Sequence, residues 1–155
     1  PLIINNCLQG KKRPVYGDGK NVRDWLYVMD HAKGIDMATE NGRIGEKYNI
    51  GGHKEKQNIE IVEIIIDTIH DMLDDSDERK AHVNRDLITY VEDRKGHDRR
   101  YAIAPDKIKK EIGWEPETMF KDGIKLTIEW YFNNTDWMEN VTSGDYQKYY
   151  SEMYK

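Results

Sequence analysis

The 155 residues make about one ordinary domain, long enough to bury a real core. Charged residues reach 34% against 37% hydrophobic ones, and a net charge of −5 argues against a general nucleic-acid or membrane-surface binder. No apolar run approaches the roughly 18 residues of a membrane span, no signal-peptide pattern appears, and the single cysteine excludes an internal disulfide framework.

The chain opens on Pro1 rather than Met, which reads as a cut from a longer protein. Residues 1–9 are expected as a helix, with Pro1 in its first turn and Gly10 just past its end. Cys7 would lie in it as a reduced, cytosolic thiol. Residues 13–16 read as a short strand, and Gly17-Asp18-Gly19 as a turn that needs positive φ. The stretch 24–28 (DWLYV) is mostly apolar and aromatic and predicts a buried strand. Asp30 is then placed to cap a helix over 31–40, which Gly42 stops. Residues 47–50 predict another strand, ending in Gly51-Gly52.

Asn58 is expected to cap the longest helix, over 59–73, whose Ile59, Val62, Ile66, Ile69 and Leu73 fall at helical spacing. The polar stretch 74–86 reads as a surface loop and 87–91 as a strand. A short helix over 105–112 precedes Gly113, Trp114 and Pro116 make a rigid corner, and a further helix covers 121–133. The tail carries Trp137, Tyr146, Tyr149, Tyr150 and Tyr154, and that aromatic density predicts docking. Strands and helices alternate in the first half, while the second half is mostly helical. The fold class is therefore α/β.

The chemistry is sparse. There is no Gly-rich dinucleotide fingerprint or phosphate loop, and no sequence signature of nucleophilic catalysis. No Tyr stands four residues before a Lys in the context of a dehydrogenase helix. The histidines at 31, 53, 70, 82 and 97 show no ligand pairing, so no metal site is expected. Positive charge stands out instead. Arg94, Lys95, Arg99 and Arg100 lie close together around His97, and Lys20 and Arg23 form a second cluster beside the Gly-rich turn. A guanidinium fork suits a pyrophosphate, through two parallel charge-assisted hydrogen bonds. The same run also reads as a solvated loop of self-pairing charges. Asn58 can be a helix cap or a ligand contact, and Tyr16 can stack on a base or fill core.

The phrase RPVYGDGKNVRDWLYVMDHAKGID (13–36) resembles the extended short-chain dehydrogenase superfamily of nucleotide-sugar epimerases and dehydratases. EKYNIGGHKEKQNIEIV (46–62), DRKGHDRRYAI (93–103), KEIGWEPETMFKDGIKLTIEWY (110–131) and SGDYQKYY (143–150) narrow the likeness to the dTDP-glucose 4,6-dehydratases, with DRKGHDRRYA the most specific. That resemblance implies late elements of a Rossmann-type parallel sheet and an interdomain crossover over 1–52. It implies a small, mostly helical nucleotide-sugar-binding domain over 53–155, with 13–28 contributing to its pocket. It also implies a lyase that turns dTDP-glucose into dTDP-4-keto-6-deoxyglucose and water with bound NAD, feeding rhamnose and other deoxysugars. The intact enzyme would be a cytoplasmic homodimer. Its glycine fingerprint, Tyr-x-x-x-Lys pair and acid/base carboxylates belong to an amino-terminal Rossmann half that this sequence lacks, so no catalytic residue is expected here and the chain alone should be inactive. Carried over by position, Pro14 and Tyr16 flank the thymine, and Arg23 and Arg94 clamp the diphosphate. Asn58 and His97 add contacts, and Tyr146 matches a late tyrosine near the ligand. Met29 stands where family members often carry an acidic residue.

Overall fold

A computed structural model describes residues 1–144 and 148. The chain order is α1 (Leu2–Leu8), β1 (Arg13–Tyr16), β2 (Val22–Asp24), α2 (Val28–Asn41), β3 (Glu55–Gln57), α3 (Asn58–Met72), β4 (Ile88–Val91), α4 (Asp106–Ile112), α5 (Phe120–Asn133) and α6 (Thr135–Thr142). β1 and β4 pair in parallel, with Arg13 opposite Ile88 and Tyr16 opposite Val91. β2 and β3 pair antiparallel, with Val22 opposite Gln57. The α/β class predicted from the alternation of elements is the one observed.

α3 organises the core. Ile61, Val62, Ile65, Ile66 and Ile69 line its buried face and Leu73 follows at its end. They pack with Ile4 and Cys7 of α1, Val15 of β1, Val83, and Ile128 and Tyr131 of α5. The helix starts on a capping box: the Gln57 amide donates to Glu60 Oε2 at 2.7 Å while the Gln57 side chain accepts from the first turn. Asn58 is thus the first helical residue, and the cap expected of it belongs to Gln57. The next two amides are used by the preceding loop. Asn58 N donates to Asn21 O and Ile59 N to Gly19 O, each at 2.9 Å. Gly19 fits there because it has φ +72°, and an added Cβ would stand 2.8 Å from Val15 Cγ1 and 2.9 Å from Ile59 Cβ.

Three expectations fail locally. The apolar run 24–28 is not a strand: β2 ends at Asp24, and α2 already begins at Val28 with Tyr27 as its cap. Such a run, without alternation, does not distinguish a strand from a buried connection. Residues 47–50 form no strand, because among the described residues nothing bonds to them along a ladder. Asp30 does not cap α2 either. It sits inside the first turn, 6% exposed, and its Oδ2 accepts from Thr118 N at 2.9 Å. Its carbonyl accepts from Trp114 Nε1 at 3.1 Å. The Trp114–Pro116 corner is thereby fastened to α2, with the indole 1% exposed over Gly34.

Asp24 makes the other long-range tie. Its carboxylate accepts from Gly52 N (2.6 Å) and Lys54 N (2.8 Å). A Cβ on Gly52 would meet the Trp25 carbonyl oxygen at 2.3 Å, so the close approach needs glycine. The stretch 74–86 is largely surface, as expected, with 3-10 turns at Glu78–His82 and Arg85–Leu87 and only Val83 buried. α6, which carries Trp137, was not foreseen as a helix. The tail tyrosines 146, 149, 150 and 154 lie outside the described residues.

Candidate functional site

Main-chain bonds lay residues 98–101 against β2. Val22 N donates to Arg99 O at 2.8 Å, Tyr101 N donates to Val22 O at 3.1 Å, and Val22 bridges Arg100 in parallel. Asn21, 2% exposed, adds a side-chain bond from Nδ2 to Asp98 O at 3.2 Å. Two basic stretches far apart in sequence therefore share one surface. Between them the chain turns tightly: His97 N donates to Arg94 O at 3.1 Å, with Gly96 at φ +72° in the third position.

Four arginines meet there and divide into two kinds. Arg99 lays a fork on Asp18 (2.7 and 3.1 Å), and Arg100 lays one on Glu55 (2.7 and 2.8 Å). Their charge is already matched. Among the described residues, Arg23 and Arg94 make no ion pair and lie over aromatic faces instead. Arg23 Cζ is 4.5 Å from the Tyr101 centroid, and Arg94 Cζ is 5.4 Å from that of Tyr16. Both guanidinia act on one phenol: the hydrogen bond and charge of Asp98 push Tyr101 upward from the ordinary tyrosine range, while Arg23 and Arg94 each pull it down.

His97 joins the two. Its side chain is 7% exposed, with Nδ1 2.6 Å from Asp93 Oδ1 and Nε2 2.8 Å from Arg23 Nη2. Its ring stands edge-on to Tyr16, centroids 6.4 Å apart. A guanidinium only donates, so the 2.8 Å contact suits a bare Nε2. The hydrogen bond to His97 is also the largest of the effects that hold the Asp93 carboxyl below its usual range. Asn21 Nδ2 lies 3.4 Å from His97 Nδ1, a much longer contact than the 2.6 Å to Asp93.

The other expected residues stand as follows. Pro14 is half-buried in β1, opposite Thr89. Tyr16 is 45% exposed at the end of β1, beneath the Arg94 guanidinium. Asn58 is half-buried at the start of α3, with its amide already engaged. Tyr146 lies outside the described residues. Sequence reasoning missed Asn21, Asp93 and Tyr101. Asp93 had a weak signal, an acid four residues before His97, whereas Asn21 had none. Two cavities occur away from this cluster. One, about 580 Å³ and mainly apolar, is lined by Trp25, Tyr27, Met119, Phe120, Trp130 and Trp137 among others. The other, about 370 Å³, lies between His31, Tyr48 to Ile50 and Ala102 to Ala104. Arg23 and Arg94 line neither and present an open basic surface.

The frame that carries this basic surface places the chain among nucleotide-sugar dehydratases. The chain belongs to the GDP-mannose 4,6 dehydratase family, whose model matches residues 1–127. It is 50% identical to the dTDP-glucose 4,6-dehydratase of Shigella flexneri over 155 residues, all of this chain but 42% of that protein. The chain thus spans less than half the length of the relatives it matches. Among solved structures it is similar to the dTDP-glucose 4,6-dehydratase of Bacillus anthracis in complex with NAD (47% identity, TM-score 0.76, 88% of this chain and 40% of that one). It is also similar to a double mutant of the dTDP-glucose 4,6-dehydratase DesIV from Streptomyces venezuelae with NAD bound (38%, TM-score 0.81, 92% and 40%).

Proposed function

We propose that this chain forms the nucleotide-sugar-binding portion of a dTDP-glucose 4,6-dehydratase, the lyase that converts dTDP-glucose to dTDP-4-keto-6-deoxyglucose and water. One observation carries the reading: of the arginines gathered at β2 and the 93–100 turn, Arg23 and Arg94 alone lack a carboxylate among the described residues. A diphosphate brings about two negative charges and accepts forked hydrogen bonds, so two unmatched guanidinia suit it. Arg23 and Arg94 then clamp the diphosphate, and Pro14 and Tyr16 flank the thymine. Asn58 supplies a further polar contact and Tyr146 a late one, while His97, expected as a contact, has both ring nitrogens engaged by Asp93 and Arg23 and acts on the ligand only through Arg23.

The residues described do not fit NAD. No glycine loop leads from a strand into a helix, and the start of α3 is filled by the carbonyls of Gly19 and Asn21. NAD and the reacting groups are therefore assigned to an amino-terminal Rossmann domain of the whole enzyme, which also pairs as a homodimer in this reading.

The test is calorimetric titration of the chain with thymidine diphosphate and, separately, uridine diphosphate. Tighter binding of the thymidine nucleotide, lost in an Arg23→Ala/Arg94→Ala double variant, is expected. Preference for uridine diphosphate would move the chain to another nucleotide-sugar enzyme. No binding of either would end the reading.

A further inference from the structure

We propose that Asp93 is a positioning residue: it fixes His97 as the Nδ1–H tautomer, and the bare Nε2 so created holds the Arg23 guanidinium in place. Three distances compose the relay. Asp93 Oδ1 is 2.6 Å from His97 Nδ1, His97 Nε2 is 2.8 Å from Arg23 Nη2, and Arg23 Nη2 also reaches Asp98 O at 3.0 Å. Arg23 Nη1 donates to Val22 O at 2.6 Å. The guanidinium plane is thus gripped on two nitrogens by acceptors of the protein, and one of these acceptors exists in only one tautomer of the imidazole.

The alternatives are all worse. With the proton on Nε2, two donors would face each other across 2.8 Å, and a doubly protonated ring would set a second cation against Arg23. Asp93 itself has little freedom. Its Oδ1 also accepts from Arg94 N at 2.8 Å, and its carboxylate leans on Gly17, where an added Cβ would stand 3.0 Å from Oδ2. Burial sharpens the choice, because the His97 side chain is 7% exposed and water offers it little alternative partnership. A single carboxylate therefore touches both halves of the basic surface, through the ring to Arg23 and through its neighbour's amide to Arg94.

The importance of Asp93 for a ligand rests on the diphosphate reading above; its control of the ring does not. Long-range proton–nitrogen NMR of the 155-residue chain at neutral pH reads the tautomer directly and needs no variant. A protonated Nδ1 and a bare Nε2 at His97 are expected. In Asp93→Asn, the side-chain amide can donate to Nδ1 and favours the opposite tautomer. The ring signals should exchange roles, and the Arg23 guanidinium signals should lose their restricted rotation. Thymidine diphosphate should then bind about tenfold more weakly, the scale of one misaligned charge-assisted contact. The same substitution in a His97→Gln background should cost nothing more, since the effect runs through the ring. An Nε2–H tautomer in the unaltered chain overturns the proposal, as does an Asp93→Asn ring that keeps its Nδ1 proton. An equal loss of affinity in both backgrounds also overturns it, by showing that Asp93 acts independently of His97. If the nucleotide binds to neither form, the clamp falls, and the ring and guanidinium spectra alone decide for or against the relay.

Discussion

Arg99 places two guanidinium nitrogens on the Asp18 carboxylate, at 2.7 and 3.1 Å, and so ties the 93–100 turn to the Gly17–Gly19 turn. This pair separates the structural arginines from those free to meet a ligand. Arg94→Ala, made in the intact enzyme, should weaken nucleotide-sugar binding by about 1.5–3 kcal/mol, the range for a hydrogen bond to a charged group. Arg99→Ala should change it by no more than about 0.5 kcal/mol. Calorimetric titration checks both, and unchanged affinity in Arg94→Ala would remove that residue from the clamp.

The same pair has an acid limit. Arg99, with the Lys20 amide, lowers Asp18 to about 2. A folded value below the unfolded one gives stability that is complete above the ordinary aspartate range and lost as pH falls through about 2. Both partners are solvent-exposed, so the effect is small. Melting temperatures of the unaltered chain and Asp18→Asn should differ slightly at pH 6 and converge near pH 2. A gap that persists unchanged in acid would assign the difference to turn geometry.

Trp114→Ala should destabilise the fold by about 3–5 kcal/mol, since it empties a site that is 1% exposed and leaves the Asp30 carbonyl without its indole donor. Urea unfolding followed by circular dichroism measures this. A loss under about 1 kcal/mol would mean that the corner is held by something other than the indole.

Gly52→Ala should cost about 1–3 kcal/mol, because the new methyl must displace the Trp25 carbonyl and with it the Asp24 tie. The expected sign is loss of protection in hydrogen exchange at the amides of position 52 and Lys54. Protection equal to that of the unaltered chain would show that the backbone yields freely.

Incubated with NAD and dTDP-glucose, the 155-residue chain should form no 4-keto product, read by its absorbance in alkali. Among the described residues the outer edges of β1, β4 and β3 pair with no further strand. Unfolding midpoints are therefore expected to depend on protein concentration. A sharp, concentration-independent transition of a monomer would contradict this.

The helices were legible where a physical period was present. α3 shows its buried face at i, i+3 and i+4; Val62, Ile66, Ile69 and Leu73 were read from that spacing, whereas Ile61 and Ile65 are also buried and Ile59 is only partly so. The run 24–28 had hydrophobicity but no period, and what turns it aside is the Asp24 carboxylate engaged with Gly52 and Lys54, a contact between distant residues. Residues 47–50 carry strand-like side chains, but a strand exists only with a neighbour to bond to. The basic segment was equally visible as composition. Which of its arginines are spent on ion pairs depends on Asp18 and Glu55, and no local spacing reveals that.

The first amides of α3 grip the carbonyls of Gly19 and Asn21, the residues that lead directly into Arg23. The loop below the basic surface is thus continuous with the helix at the centre of the apolar core, so local opening there would fray that helix from its first turn. An anion captured at Arg23 would add its binding free energy to the cooperative unfolding of the whole domain, and melting temperature should climb with the logarithm of its concentration once the surface is saturated.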